Sequence, residues 1–187
     1  MASVQATIDL FKTLSTTDQQ AVIDSFNQSS NDYYSLKNNN PSKMENGVKK
    51  WLNEKDQLHR TDTDANGQTL PALIRADGSK KWYRNDNLHR TDTDANGQTL
   101  PAIIEADGSK QWWQNGKLHR TNIDANAQTL PAIIWSDGTK WWYKNGKLHR
   151  TDTDANGQTL PAMIWSDGTK KWLQNDQFHT TDTDTNG

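Results

Sequence analysis

The sequence predicts a mainly β protein: an elongated single-layer antiparallel sheet of 30-residue β-hairpin (meander) repeats with a small N-terminal helical cap. Three observations predict it. The string LHRTDTDANGQTLPA occurs unchanged at 58–72, 88–102 and 148–162, with a diverged copy at 118–132 and a fifth that begins at Phe178 and stops at Gly187. Apolar residues make up only 32% of the 187, against ~45–50% in an ordinary globular domain. Nine of them are tryptophan, so apolar surface is concentrated in a few large side chains, which suits a thin sheet better than a thick globule. Finally, Asp-Gly and Asn-Gly pairs recur between apolar runs. They are the preferred two-residue hairpin turns, because both central positions need positive φ.

Residues 1–40 stand apart from the repeats. Val4, Ile8, Leu10, Phe11 and Leu14 fall at helical spacing, and a second amphipathic segment carries Val22, Ile23 and Phe26. Thr16 and Gln19 read as a capping box in front of it. The stretch SSNDYYSLKNNN that follows is polar and reads as a linker. Two short helices here would cover the first edge of the array, which otherwise invites strand pairing.

The array occupies 41–187. Its first copy is weaker: Asn46 to Trp51 matches Asp77 to Trp82, but one extra residue lies between Trp51 and His59. In the next copy, three strands are expected at about 70–76, 79–84 and 87–90. Pro71, Pro101, Pro131 and Pro161 should each open a strand, since proline cannot donate to a ladder. A two-residue turn at Asp77-Gly78 would set Ser79 opposite Ala76 and Trp82 opposite Leu73. A second at Asn85-Asp86 would set Leu88 opposite Tyr83 and His89 opposite Trp82. One face then carries Leu73, Arg75, Lys80, Trp82 and His89. The other carries Ala72, Ile74, Lys81, Tyr83 and Leu88.

The Asn-Gly-Lys turn (Asn115 to Lys117, Asn145 to Lys147), the Leu-His-Arg strand, the Leu-Pro-Ala-Ile-Ile strand and the Asp-Gly turn together resemble the MORN-type repeats, in their variant form, of bacterial, phage and large-virus proteins. The resemblance covers about 41–187. It implies stacked hairpins and a non-catalytic scaffold or binder. The TDTDANGQT connector is longer than a minimal hairpin repeat requires.

Two motifs invite a metal. Asp62, Asp64, Asn66 and Gly67 have the spacing that opens a calcium loop, but Leu73 stands where its bidentate Glu belongs, and the third copy has Asn122 and Ala127. A plain Asx-turn explains the same residues. His59, His89, His119, His149 and His179 recur one per copy, too far apart to share an ion, so they read as structural. No metal or cofactor is expected. Near-identical copies build surfaces rather than the single asymmetric constellation that catalysis requires, so no catalytic residue is assigned. A net charge of −2 gives no reason to expect nucleic-acid binding. No run approaches a membrane span, and the N-terminus does not read as a signal peptide, so a cytoplasmic protein is expected.

The copies differ at few positions, and those are informative. One set reads Arg75, Glu105, Trp135 and Trp165; the next reads Lys81, Gln111, Trp141 and Lys171; a third reads Tyr83, Trp113, Tyr143 and Leu173. Sites that accept Arg, Glu or Trp are not tightly packed core. Trp135, Trp165, Trp141, Trp113, Arg75 and Glu105 are therefore the candidate binding residues, since Trp and Arg are enriched at interface hot spots. The expected function is a protein-binding module. By analogy with the phage and viral setting of the resemblance, its more specific form is an inhibitor of a bacterial host or defence protein, as anti-CRISPR proteins are. The alternatives are an aromatic cage for a small molecule or carbohydrate and a self-associating spacer.

Overall fold

The computed structural model describes residues 11–25 and 40–179. The chain divides into two units, Met1–Asn40 and Pro41–Gly187. In the first, a helix spans 16–25. Ser15 is its N-cap: Oγ accepts the Asp18 N–H at 3.2 Å and donates to the Asp18 carboxylate at 2.6 Å. The Gln19 N–H closes the first helical bond onto Ser15 O at 2.9 Å. The capping box thus lies one residue before the expected Thr16 and Gln19, because Asp18 puts a carboxylate on the first turn, where the helix dipole favours it. Gln19 turns back instead, donating from Nε2 to Phe11 O and Leu14 O. Val22 and Ile23 are exposed. Val4, Ile8, Leu10, Phe26, the Asn-rich linker and most of the fifth copy lie outside the described residues.

The second unit is a stack of hairpins. Its strands are β1 (Lys43–Glu45), β2 (Val48–Lys50), β3 (Leu73–Ile74), β4 (Lys80–Lys81), β5 (Tyr83–Arg84) and β6 (Asn87–Leu88). The following copies add β7 (Ile103–Ile104), β8 (Lys110–Gln111), β9 (Trp113–Gln114), β10 (Lys117–Leu118), β11 (Ile133–Ile134) and β12 (Lys140–Trp141). The last are β13 (Tyr143–Lys144), β14 (Lys147–Leu148), β15 (Met163–Ile164), β16 (Lys170–Lys171), β17 (Leu173–Gln174) and β18 (Gln177–Phe178). Ten of them form one antiparallel sheet in the order β1-β2-β3-β4-β7-β8-β11-β12-β15-β16. The pairs β5-β6, β9-β10, β13-β14 and β17-β18 are separate two-stranded ladders. In the connectors, single antiparallel bridges such as Thr93 to Thr99 close a third, smaller hairpin per copy.

Local chemistry explains each turn. Asn85-Asp86, Asn115-Gly116 and Asn145-Gly146 have positive φ at both positions, as a type I′ turn demands. The Asp77-Gly78 turn differs from the expectation. Only Gly78 has positive φ, at 90°. The Arg75 N–H bonds Ser79 O at 2.9 Å and the Gly78 N–H bonds Arg75 O at 3.0 Å, giving a three-residue loop over 76–78. Asp77 Oδ1 holds it by accepting the Ser79 N–H at 2.8 Å, which favours a type I turn followed by a left-handed glycine.

The extra loop residue shifts the register by one. Leu73 faces Lys81 and Ile74 faces Lys80. Arg75 therefore shares a face with Leu73 and Lys81, not with Lys80 and Trp82 as expected from a two-residue turn. The expected 79–84 strand is also divided. Its first half pairs in the large sheet, whereas Tyr83 and Arg84 pair with Leu88 and Asn87. Trp82 is the corner: its N–H reaches Ala102 O at 2.9 Å in the next copy and its carbonyl accepts the His89 N–H at 3.0 Å. In the first copy, the extra residue is absorbed in the 53–57 loop, where Asp56 takes φ 58°. Pairing begins directly after each proline, as the Ala72 N–H to Lys81 O bond of 3.0 Å illustrates.

The core is one tryptophan per copy. Trp51, Trp82, Trp112 and Trp142 are at most 7% exposed. Each corner indole from Trp82 onward donates to a threonine carbonyl in the preceding connector, Trp82 to Thr69 at 2.7 Å and Trp112 to Thr99 at 2.7 Å. An arginine covers each ring: Arg60, Arg90, Arg120 and Arg150 lie 4.0, 4.0, 3.8 and 4.1 Å above Trp51, Trp82, Trp112 and Trp142. The alanines beside them, Ala72, Ala102, Ala132 and Ala162, are wholly buried. Trp112→Ala should destabilise the array by ~3–5 kcal/mol, the usual cost of emptying a buried indole site, as measured by urea denaturation.

Candidate functional site

Two of the three variable sets gather on one face of the ten-stranded sheet, and the third lies in the adjoining two-stranded ladders. Ile133 faces Gln111 on one side and Trp141 on the other, and Met163 faces Trp141 and Lys171. Lys81, Gln111, Trp141 and Lys171 thus line up across the strands, with Arg75, Glu105, Trp135 and Trp165 beside them. The stripe changes character along the array. At its start Arg75 is exposed, and Lys81 pairs with Glu105 at 2.9 Å. In the middle the Trp113 indole donates to Gln111 Oε1 at 3.0 Å. At its end three tryptophans meet edge to face: Trp135 and Trp141 at 6.1 Å, Trp141 and Trp165 at 6.2 Å. The Lys171 ammonium lies 5.3 Å from the Trp165 ring.

These three indoles are half-buried. Trp141 and Trp165 rest on Ala162, Met163 and Leu173, so part of each ring covers its neighbours and part faces solvent. Offset and edge-to-face packing of this kind holds rings in fixed orientations. Of the six candidate residues, three form this cluster, Trp113 and Glu105 lie along the same stripe with polar partners, and Arg75 is at its far end.

The connector acids have structural duties. Asp64, Asp94, Asp124 and Asp154 each accept two backbone N–H groups through Oδ1, Asp94 from Asn96 and Gln98 at 2.9 Å each, which is an Asx-turn. Asp92 Oδ2 takes the Arg90 Nε–H at 2.8 Å and the N–H and hydroxyl of Thr69 in the preceding connector. Asp152 joins Arg150 and Thr129 in the same way. Burial opposes ionisation of Asp92, but the Arg90 and Thr69 bonds outweigh it and hold the carboxyl below its ordinary value. Among the described residues no cluster of three or more His, Asp or Glu could hold a metal ion.

His89 and His119 link copies as well. Asn115 N–H donates to His89 Nδ1 at 3.1 Å, and Asn145 N–H to His119 Nδ1 at 3.1 Å. The bond requires an unprotonated Nδ1. Burial, then the Arg84 cation, push the His89 pKa below 6.5.

The third copy breaks this pattern, and with it the symmetry of a groove on the other face of the sheet. Asn122 stands where Asp92 and Asp152 stand, and its Oδ1 still accepts the Thr99 hydroxyl and N–H. Arg120 has lost its carboxylate. Its Nε is buried with no acceptor, and its guanidinium donates from Nη1 to Pro131 O at 3.1 Å. Burial pushes this guanidinium down to about 10, with Asp94 acting the other way. Arg120 lines a groove of about 690 Å³ that spans three copies. The Asp-to-Asn change two residues after an Arg was the visible signal for this site; on the sequence it reads only as a weakened calcium loop.

No known protein family, curated protein or solved structure matches the chain.

Asn122→Asp should restore the ion pair of the other copies and stabilise the array by about 1–2 kcal/mol, within the range for hydrogen bonds to charged groups; a raised thermal midpoint checks it. A second expectation concerns pH. His89 binds its proton less readily folded than unfolded, so its contribution to stability is present above 6.5 and lost as pH falls from there through its lower folded pKa. Histidine titration by NMR should find its pKa below 6.5, and a value above that would contradict the buried, accepting Nδ1.

Proposed function

We propose that the chain is a non-catalytic repeat module that binds a partner protein through the face bearing Trp135, Trp141 and Trp165. The observation that supports this reading most is the edge-to-face tryptophan cluster, partly open to solvent and bordered by Lys171. Ordered aromatic rings offer large contact area at little further entropic cost, and Trp and Arg are the side chains enriched at hot spots. The invariant positions maintain the stack, so the partner-specific information lies in the stripe that varies.

The test is a double variant, Trp135→Ala with Trp165→Ala, compared with the unaltered chain in affinity capture from bacterial lysate. A protein held by the unaltered chain and lost from the folded variant is the expected result. It would also test whether that protein is a host factor. Equal capture by both forms would refute this face as the interface. Collapse of the β circular dichroism signal in the variant would show that the two indoles serve the core instead.

A further inference from the structure

The tryptophan strip uses one face of the large sheet, and the groove beside Arg120 uses the opposite one. Ile134 and Lys140 face each other across β11 and β12, one residue away from Ile133 and Trp141, so their side chains point the other way. Lys110, Lys140 and Lys170 line the groove from the sheet; Asp94 and Asp124 line it from the connectors. Leucine, proline, isoleucine, Trp112 and Trp142 supply apolar lining, and Gln and Thr side chains of the connectors add polar lining. Arg90 and Arg150 are neutralised by Asp92 and Asp152 at 2.8 Å. Arg120, which lines the groove, has no carboxylate partner among the described residues.

We propose that this groove binds an acidic peptide segment in the polyproline II conformation, with one carboxylate on Arg120 and others, three residues apart, facing the lysine row. Two physical matches favour that occupant. Each copy adds two strands to the sheet, so equivalent lysines recur at ~10 Å. A polyproline II chain turns once in three residues and rises ~9 Å in doing so, which returns every third side chain to the same side. A β-strand alternates sides and would present its third residue away from the lysines. The charge pattern selects against a denser polyanion. A nucleic-acid strand carries a charge every ~3.4 Å and would meet Asp94 and Asp124 on the connector side. A peptide with neutral residues between its acids meets those aspartates without repulsion.

The experiment is isothermal titration of the full chain with a synthetic (Glu-Pro-Pro)4 peptide. Binding is expected, and it should weaken at least tenfold in Asn122→Asp, which supplies Arg120 with an internal carboxylate. That variant copies an arrangement already present around Arg90 and Arg150, and its thermal midpoint verifies folding. A (Gln-Pro-Pro)4 peptide should bind at least tenfold more weakly than the Glu form. The Trp135/Trp165 double variant should bind the Glu peptide as the unaltered chain does, which separates this site from the proposed interface. Absence of binding at millimolar peptide would overturn the proposal, as would equal affinity in Asn122→Asp or for the Gln peptide. Tighter binding of a thymidine oligonucleotide, or full competition by glutarate at equal concentration, would reassign the groove and overturn the peptide assignment.

Discussion

A guanidinium placed over an indole is the contact that recurs at Trp51, Trp82, Trp112 and Trp142 and on which those copies depend. A chain with so few aliphatic residues cannot enclose its tryptophans with leucine and isoleucine alone. The Arg90 stem and planar head cover Trp82 from the side the sheet leaves open, and a desolvated contact of this type contributes about 2 kcal/mol. Lysine would not substitute, because its ammonium is compact and strongly hydrated. Stacking leaves the edges of the guanidinium free for hydrogen bonds. Nε donates to Asp92 and Nη1 to Pro101 O, and Asp92 also accepts from Thr69 in the previous connector. One stacked pair therefore orients the carboxylate that joins two copies. This is why Trp, Arg, Asp and Thr recur together rather than singly.

The division of labour between positions follows from that unit. Most residues that serve the stack repeat without change, because each must fit both its own copy and the next. Residues on the open face of the sheet are released from that requirement, and there the sequence runs from Arg75 and Glu105 to Trp135 and Trp165. The Asn122 change is of a different kind. It lies inside the stacking unit, keeps the bond to Thr99, and gives up only the charge.

Much of the fold was legible in the sequence, because repetition at a fixed period and two turn signals per copy are strong local rules. Asn85-Asp86 set the expected hairpin, with Leu88 against Tyr83. Asp77-Gly78 did not, since an Asp-Gly pair serves two turn types, and the choice was made by the Asp77 side chain bonding to Ser79. That single loop residue put Lys81, in place of Lys80 and Trp82, on the face of Arg75. The helix cap was displaced for a similar reason, as Ser15 and Thr16 are both competent caps and Asp18 decides between them. The tryptophan stripe could be found from differences among copies. The groove could not, because it is enclosed by sheet and connectors from three copies, and their approach in space has no linear signature beyond the lost aspartate.

The Thr-to-Asp bonds between connectors also have a mechanical meaning. Pulling the array along its stacking direction loads the junctions in series, so the weakest yields first. The junctions at Thr69–Asp92 and Thr129–Asp152 are charge-assisted, whereas Thr99–Asn122 joins neutral groups, and charge-assisted bonds are roughly twice as strong. Of these three junctions, Thr99–Asn122 would thus yield first under tension, so that this part of the array carries a mechanical fuse at a defined place.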